Sequence, residues 1–99
     1  MRAFRPLPLL LAASLALAAC DSAEERAAAH FERAEALVAA GDPARAEVEL
    51  RNVLELNAEH APARLAYARL LRDRGEPEAA FAQYLRLAEA ARKRPAVNR

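Results

Sequence analysis

One thiol, two imidazoles and fourteen carboxylates are the side chains in this 99-residue sequence that could take part in chemistry. The thiol is Cys20, and because it is the only one, a disulfide within the chain is excluded. It closes a segment with arginines at positions 2 and 5, an apolar stretch from Leu9 to Leu17, and the small residues Ala18 and Ala19. Charge, apolar run and small residues in that order make a secretory signal. The run from Leu7 to Ala19 is too short to cross a bilayer comfortably, which disfavours a permanent membrane span. His30 and His60 fall in different elements, with no cysteine left for a metal site and no glycine-rich phosphate loop. Surface or loop roles are expected for both. Glu24-Glu25 and the Glu47/Glu49 pair read as solvated helix faces and caps rather than as a paired acid and base. Tyr67, Phe81 and Tyr84 are expected in the core. The sequence therefore predicts no enzyme, no cofactor and no metal, since four short helices leave little room for an enclosed site.

Composition narrows the partners. Loss of Arg2 and Arg5 with the signal takes the 15 basic residues to 13, against 14 acidic ones. Near balance, with few aromatic residues for base stacking, excludes nucleic acid as the expected partner. About 80 residues remain, enough for one small domain near the lower limit of independent stability.

Two tripeptides organise that domain. Gly41-Asp42-Pro43 recurs 34 residues later as Gly75-Glu76-Pro77. Glycine suits the left-handed residue that closes a helix, an acidic residue can cap the next one, and proline fits its first position. Each tripeptide is thus a tight turn between antiparallel helices. Overlaying residues 27–60 on 61–94 aligns Ala34 with Ala68, Leu37 with Leu71, Ala46 with Ala80, Leu50 with Tyr84 and Val53 with Leu87.

Helix one is expected from about Ala23 to Ala40, opened by a capping box of Ser22 and Glu25, with Ala27, Phe31, Ala34, Leu37 and Val38 on or beside its apolar face. Helix two runs from Pro43 to Leu56, burying Ala46, Leu50, Val53 and Leu54, with Glu47 and Arg51 paired outside. Helix three starts near Pro62 and stops before Gly75, burying Leu65, Ala68, Leu71 and Tyr67. Helix four spans Pro77 to Lys93, burying Ala80, Tyr84, Leu87, Ala88 and Ala91, with Phe81 and Leu85 extending the stripe. Arg92, Lys93 and Arg94 form a solvated basic end, and residues 95–99 form a tail. The fold class is all-α, two antiparallel helix pairs after an N-terminal signal segment.

A period of about 34 residues with two helices per unit resembles the tetratricopeptide repeat. Small residues at Ala34, Ala68, Ala46 and Ala80, and large ones at Leu37, Leu71, Leu50 and Tyr84, agree with that family's motif. His30 and Arg64 depart from it, standing where the family has a large apolar residue, as do Arg33 in place of a leucine and Val53 and Leu87 in place of an alanine. The resemblance implies a right-handed α-solenoid fragment of two hairpins, about 27–60 and 61–94, whose first helices line a peptide-binding groove. Carried over by register, the groove residues are Phe31, Glu35 and Val38 from the first unit and Leu65, Arg69 and Arg72 from the second. Glu35 and Arg69 occupy equivalent sites, and the resemblance leaves open whether they bind a partner or pair with each other. The expected ligand is a protein or peptide, although not a chaperone C-terminus, since the lysine and asparagine pattern of the carboxylate clamp is missing. Arrays of this kind usually need three units, so self-association, or descent from a longer chain, is the alternative to a simple adaptor.

Leu17-Ala18-Ala19-Cys20 resembles the lipobox of bacterial lipoproteins. That resemblance implies a signal peptide over 1–19, cleavage before Cys20, a diacylglyceryl group on its thiol, and an acylated N-terminus with a short linker over 20–23. The protein would then face the periplasm, anchored in the cell envelope by two or more acyl chains. Asp21 leans towards the inner membrane without separating inner from outer. An ordinary signal cut after Ala18, leaving a free thiol, is the competing reading. The stretch 46–54 behind a lipobox also resembles the start of longer bacterial tetratricopeptide lipoproteins, some tied to exopolysaccharide export or protein sorting.

Overall fold

The computed structural model describes residues 7–94, with side chains described from Ser22 onward. Arg2, Arg5, Pro95 and the rest of the 95–99 tail lie outside the described residues, as does the side chain of Cys20. Four helices follow one another: α1 (Leu7–Ala39), α2 (Pro43–Leu56), α3 (Ala61–Asp73) and α4 (Pro77–Lys93), with no strand among the described residues. α1 packs on α2, α3 on α4, and α2 on α3, which is the order of two stacked hairpins.

The two turns are copies of one another in atomic detail. Gly41 and Gly75 hold φ of 79° and 86°. The N–H of Asp42 donates to Leu37 O at 2.9 Å and that of Gly41 to Val38 O at 3.0 Å; Glu76 to Leu71 O and Gly75 to Arg72 O repeat both distances. This is the Schellman closure, in which the left-handed residue turns two N–H groups back onto carbonyls that the helix end leaves unpaired. The caps then diverge. Asp42 accepts from the N–H of Arg45 at 3.3 Å, whereas Glu76 makes no side-chain cap and its longer carboxylate reaches back to Arg74 Nε at 2.9 Å. A Cβ at either glycine would meet nothing within 4 Å, so the cost of adding one is purely conformational. Gly41→Ala and Gly75→Ala are each expected to lose about 1 kcal/mol of unfolding free energy, equally within error. Thermal denaturation followed by circular dichroism tests this, and a loss confined to one turn would break the equivalence.

The core is built mainly of alanine. Ala27, Ala34, Ala46, Ala63, Ala68 and Ala80 are at most 3 % exposed, and among the described residues the only large side chains buried completely are Leu50 and Val53. Small residues where helices cross let the backbones approach, while Phe31, Leu54, Leu56, Tyr67 and Leu70 fill the remaining space from partly buried positions.

Two expectations are corrected. α1 does not begin at a capping box on Ser22, because it is helical from Leu7 and passes through that position. Alanine and leucine dominate the preceding stretch and give the helix no reason to stop. In α4, Phe81 and Leu85 are 65 % and 44 % exposed, and Ala88 and Ala91 are exposed too. Only Ala80 is fully buried there, with Tyr84 and Leu87 half-buried, because no element packs on the outer side of this helix in the described chain.

Candidate functional site

The second hairpin leans on the first so that α1 and α3 face each other across an open cleft of about 390 Å³. Its floor is apolar, made by Ala34, Leu50, Ala66 and Leu70, and its rim carries Glu35, Arg69, Arg72 and Asp73, with Val38 and Ala39 at one end. Four of the six residues proposed from sequence therefore meet in one place: Glu35, Val38, Arg69 and Arg72. Val38 presents 46 % of its surface, an apolar side chain that the core does not use. The ion pairs among the described residues include neither Glu35 nor Arg69, while Arg72 is tied to its neighbour Asp73 at 3.1 Å.

Phe31 and Leu65 do not line this cleft. Phe31 packs against the core and on the His60 ring, with centroids 5.0 Å apart and planes at 51°. His60 is held there because it caps α3, its Nδ1 accepting from the N–H of Ala63 at 3.1 Å. Leu65 is half-buried outside the cleft lining. Ala66 and Leu70 stand in the cleft instead, one and five residues further along α3.

Two of the departures from the repeat motif, His30 and Arg64, prove to be counterparts. His30 Nδ1 lies 2.6 Å from Glu49 Oε1, joining α1 to α2, and Arg64 Nη1 donates to Gln83 Oε1 at 2.6 Å, joining α3 to α4. Both pairs are 19 residues apart, and the 34-residue overlay superposes one on the other. A polar clasp thus takes the place of an apolar contact in both units. His30 is accordingly half-buried and bonded rather than free on the surface. Arg33 joins the first clasp from a mostly exposed position, its Nε 3.5 Å from Glu49 Oε1.

The Glu49 carboxyl is held below its ordinary range, chiefly by the His30 hydrogen bond, with partial burial opposing and the Arg33 charge assisting. A carboxylate whose folded value is depressed adds stability above the usual carboxylate range and loses it as pH falls through the lowered value. His30→Ala should therefore move the Glu49 titration upward, towards that of a free glutamate. A carboxyl-carbon NMR titration measures this, and an unchanged midpoint would assign the shift to Arg33.

Glu47 was expected outside, yet it is 7 % exposed. Its Oε2 accepts from Arg51 at 2.9 Å as the helix spacing predicts, and its Oε1 accepts from Arg74 Nη1 at 2.5 Å. Arg74 also grips Glu76, so a single guanidinium ties α2 to the turn between α3 and α4. Among the described residues no cluster of three or more His, Cys, Asp or Glu could hold a metal ion, and no helix is long and apolar enough to cross a membrane.

No curated protein and no solved structure matches the chain. A family model described as tetratricopeptide repeat matches residues 37–99, well over half of it, including both glycine turns and the whole second hairpin. Repeats of this kind mediate protein–protein interaction and are typically not catalytic. Duplicated Schellman turns, duplicated clasps, small residues at the helix crossings and the family match agree, and the chain belongs to the tetratricopeptide repeat family.

Proposed function

We propose that this protein is a lipid-anchored adaptor of the bacterial cell envelope, which holds a protein or peptide partner in the α1/α3 cleft and catalyses nothing. The observation that carries the reading is the cleft itself: an apolar floor of Ala34, Leu50, Ala66 and Leu70 beneath a rim in which Glu35 and Arg69 enter no ion pair among the described residues. Such a surface suits an extended or helical segment that seats an apolar side chain on Val38 and Leu70 and sets an acidic group near Arg69 and Arg72. The anchor is read from Leu17-Ala18-Ala19-Cys20, with the lipid on the Cys20 thiol and the cleft on the periplasmic side. Work in exopolysaccharide export or protein sorting is the pathway class suggested by resemblance to longer lipoproteins of this kind.

A photo-reactive residue placed at Val38 should cross-link one protein in intact cells, and Arg69→Glu in the same chain should suppress it. Val48 is 55 % exposed and outside the cleft, so the same probe there should give no such product. Equal labelling from both positions would remove the cleft from the proposal. Cys20→Ser should move the protein from the membrane to the soluble fraction, and intact mass should show an acylated N-terminal cysteine in the unaltered protein. A mature chain starting elsewhere would refute the anchor.

A further inference from the structure

We infer that the outer face of α4 binds a second copy of this chain through a two-fold axis at Leu85, with the two helices antiparallel. Glu78, Phe81, Leu85, Ala88, Glu89 and Arg92 are all exposed and recur at the spacing that puts them on one side of a helix. Phe81 at 65 % and Leu85 at 44 % exposure are its apolar centre.

The repeat itself identifies this face as one made to be covered. Moved back 34 residues, Phe81, Leu85 and Ala88 fall on Glu47, Arg51 and Leu54 of α2. In the first unit two of those three positions lie where α3 and its closing turn pack, Glu47 buried under Arg74 and Leu54 against the core, while Arg51 stands at the exposed edge of that contact. In the second unit the corresponding positions have exchanged an ion pair for apolar side chains.

Charge then selects the occupant. Glu78 stands in the first turn of α4 and Arg92 in the last, and neither enters an ion pair among the described residues. They lie equally far from Leu85, about 10 Å along the axis on either side. In an antiparallel pair centred on Leu85, Glu78 of each copy faces Arg92 of the other and Phe81 faces Ala88 and Glu89. Both charge pairs and both helix dipoles are then complementary. Head-to-tail stacking fits worse. The residues through which α3 joins the core, Ala63, Ala66, Tyr67 and Leu70, correspond in α1 to Ala29, Glu32, Arg33 and Ala36. Glu32 and Arg33 are exposed charges with nothing to offer Phe81 and Leu85. One helix against its twin covers less than a standard interface, so the dimer is weak, with a dissociation constant on the order of 10 μM.

Sedimentation equilibrium of the full chain in density-matched detergent, from about 1 to 200 μM, reads the dimer directly. Glu78→Arg and Arg92→Glu, each alone, should weaken it about tenfold by replacing two attractions with two repulsions. Combined in one chain they should restore it to within about twofold. In a Cys20→Ser background, Leu85→Cys should form a disulfide-linked dimer under mild oxidation, and Val48→Cys should not. These positions are exposed, and unchanged helicity by circular dichroism confirms that folding is kept. A chain that stays monomeric throughout, or singles that weaken association without rescue by the double, would overturn the proposal. So would association indifferent to every α4 variant.

Discussion

Leu50→Ala is expected to lower the unfolding free energy by about 3 kcal/mol, a large share of the stability available to a domain of this size. Leu50 has no exposed surface, and among the described residues its only equal in burial among larger side chains is Val53. The fully buried residues of its cluster are alanines and Val53, with no spare length to collapse into the space left behind, while Phe31, Leu54, Tyr67 and Leu70 can close it only from partly buried positions. A cavity persists in part, and the cost falls towards the lower end of the range for removing three buried carbons. Leu50 also forms part of the cleft floor, so the change reaches the proposed binding surface through the same atoms. Urea denaturation of the two chains measures the loss. Val48→Ala, two residues away but 55 % exposed, should stay within about 0.5 kcal/mol of the parent. A Leu50→Ala loss as small as that would mean that α2 is not the central helix of the packing.

How far the sequence could be read depends on the distance over which each feature is decided. α2 and α4 begin and end where expected, at Pro43, Leu56, Pro77 and Lys93, because glycine, an acidic residue and proline act within one turn of the chain. The start of α1 escapes this reading, since Ser22 can cap a helix but cannot stop one arriving from an alanine- and leucine-rich stretch. Phe31 shows the limit within the cleft. Its place in the register allows either the groove or the core, and the His60 ring, brought in by the cap of α3, settles it against the core. Phe81 and Leu85 continue the same apolar period as Ala80 and Tyr84, and periodicity cannot tell a stripe with a neighbour from one without. The clasps were within reach: overlaying the units sets His30 on Arg64 and Glu49 on Gln83, a polar pair in both copies.

Glu47 tests whether the two hairpins are joined as one cooperative body. Glu47→Gln is expected to cost about 1 to 2 kcal/mol, because a buried carboxylate that accepts from two guanidinium groups becomes an amide with one acceptor and an added donor. Arg74→Ala should also lower stability, and Arg74→Lys should not repair it, since one ammonium cannot reproduce the fork that spans Glu47 and Glu76. The double variant should lose little more than the worse single, which is the mark of residues acting through one contact. High salt should reduce the effect only partly, because Glu47 is 7 % exposed and lies away from the screening ions. The position has no counterpart in the second unit, where Phe81 stands in place of Glu47, and none for Arg74 in the first, where Ala40 stands. The contact is therefore specific to the junction between hairpins. Losing it should lower the denaturant slope or split the transition as well as shift its midpoint, because the hairpins would then unfold less in step. A single transition of unchanged slope, shifted only in midpoint, would mean that the α2 and α3 apolar surfaces alone keep the two units coupled.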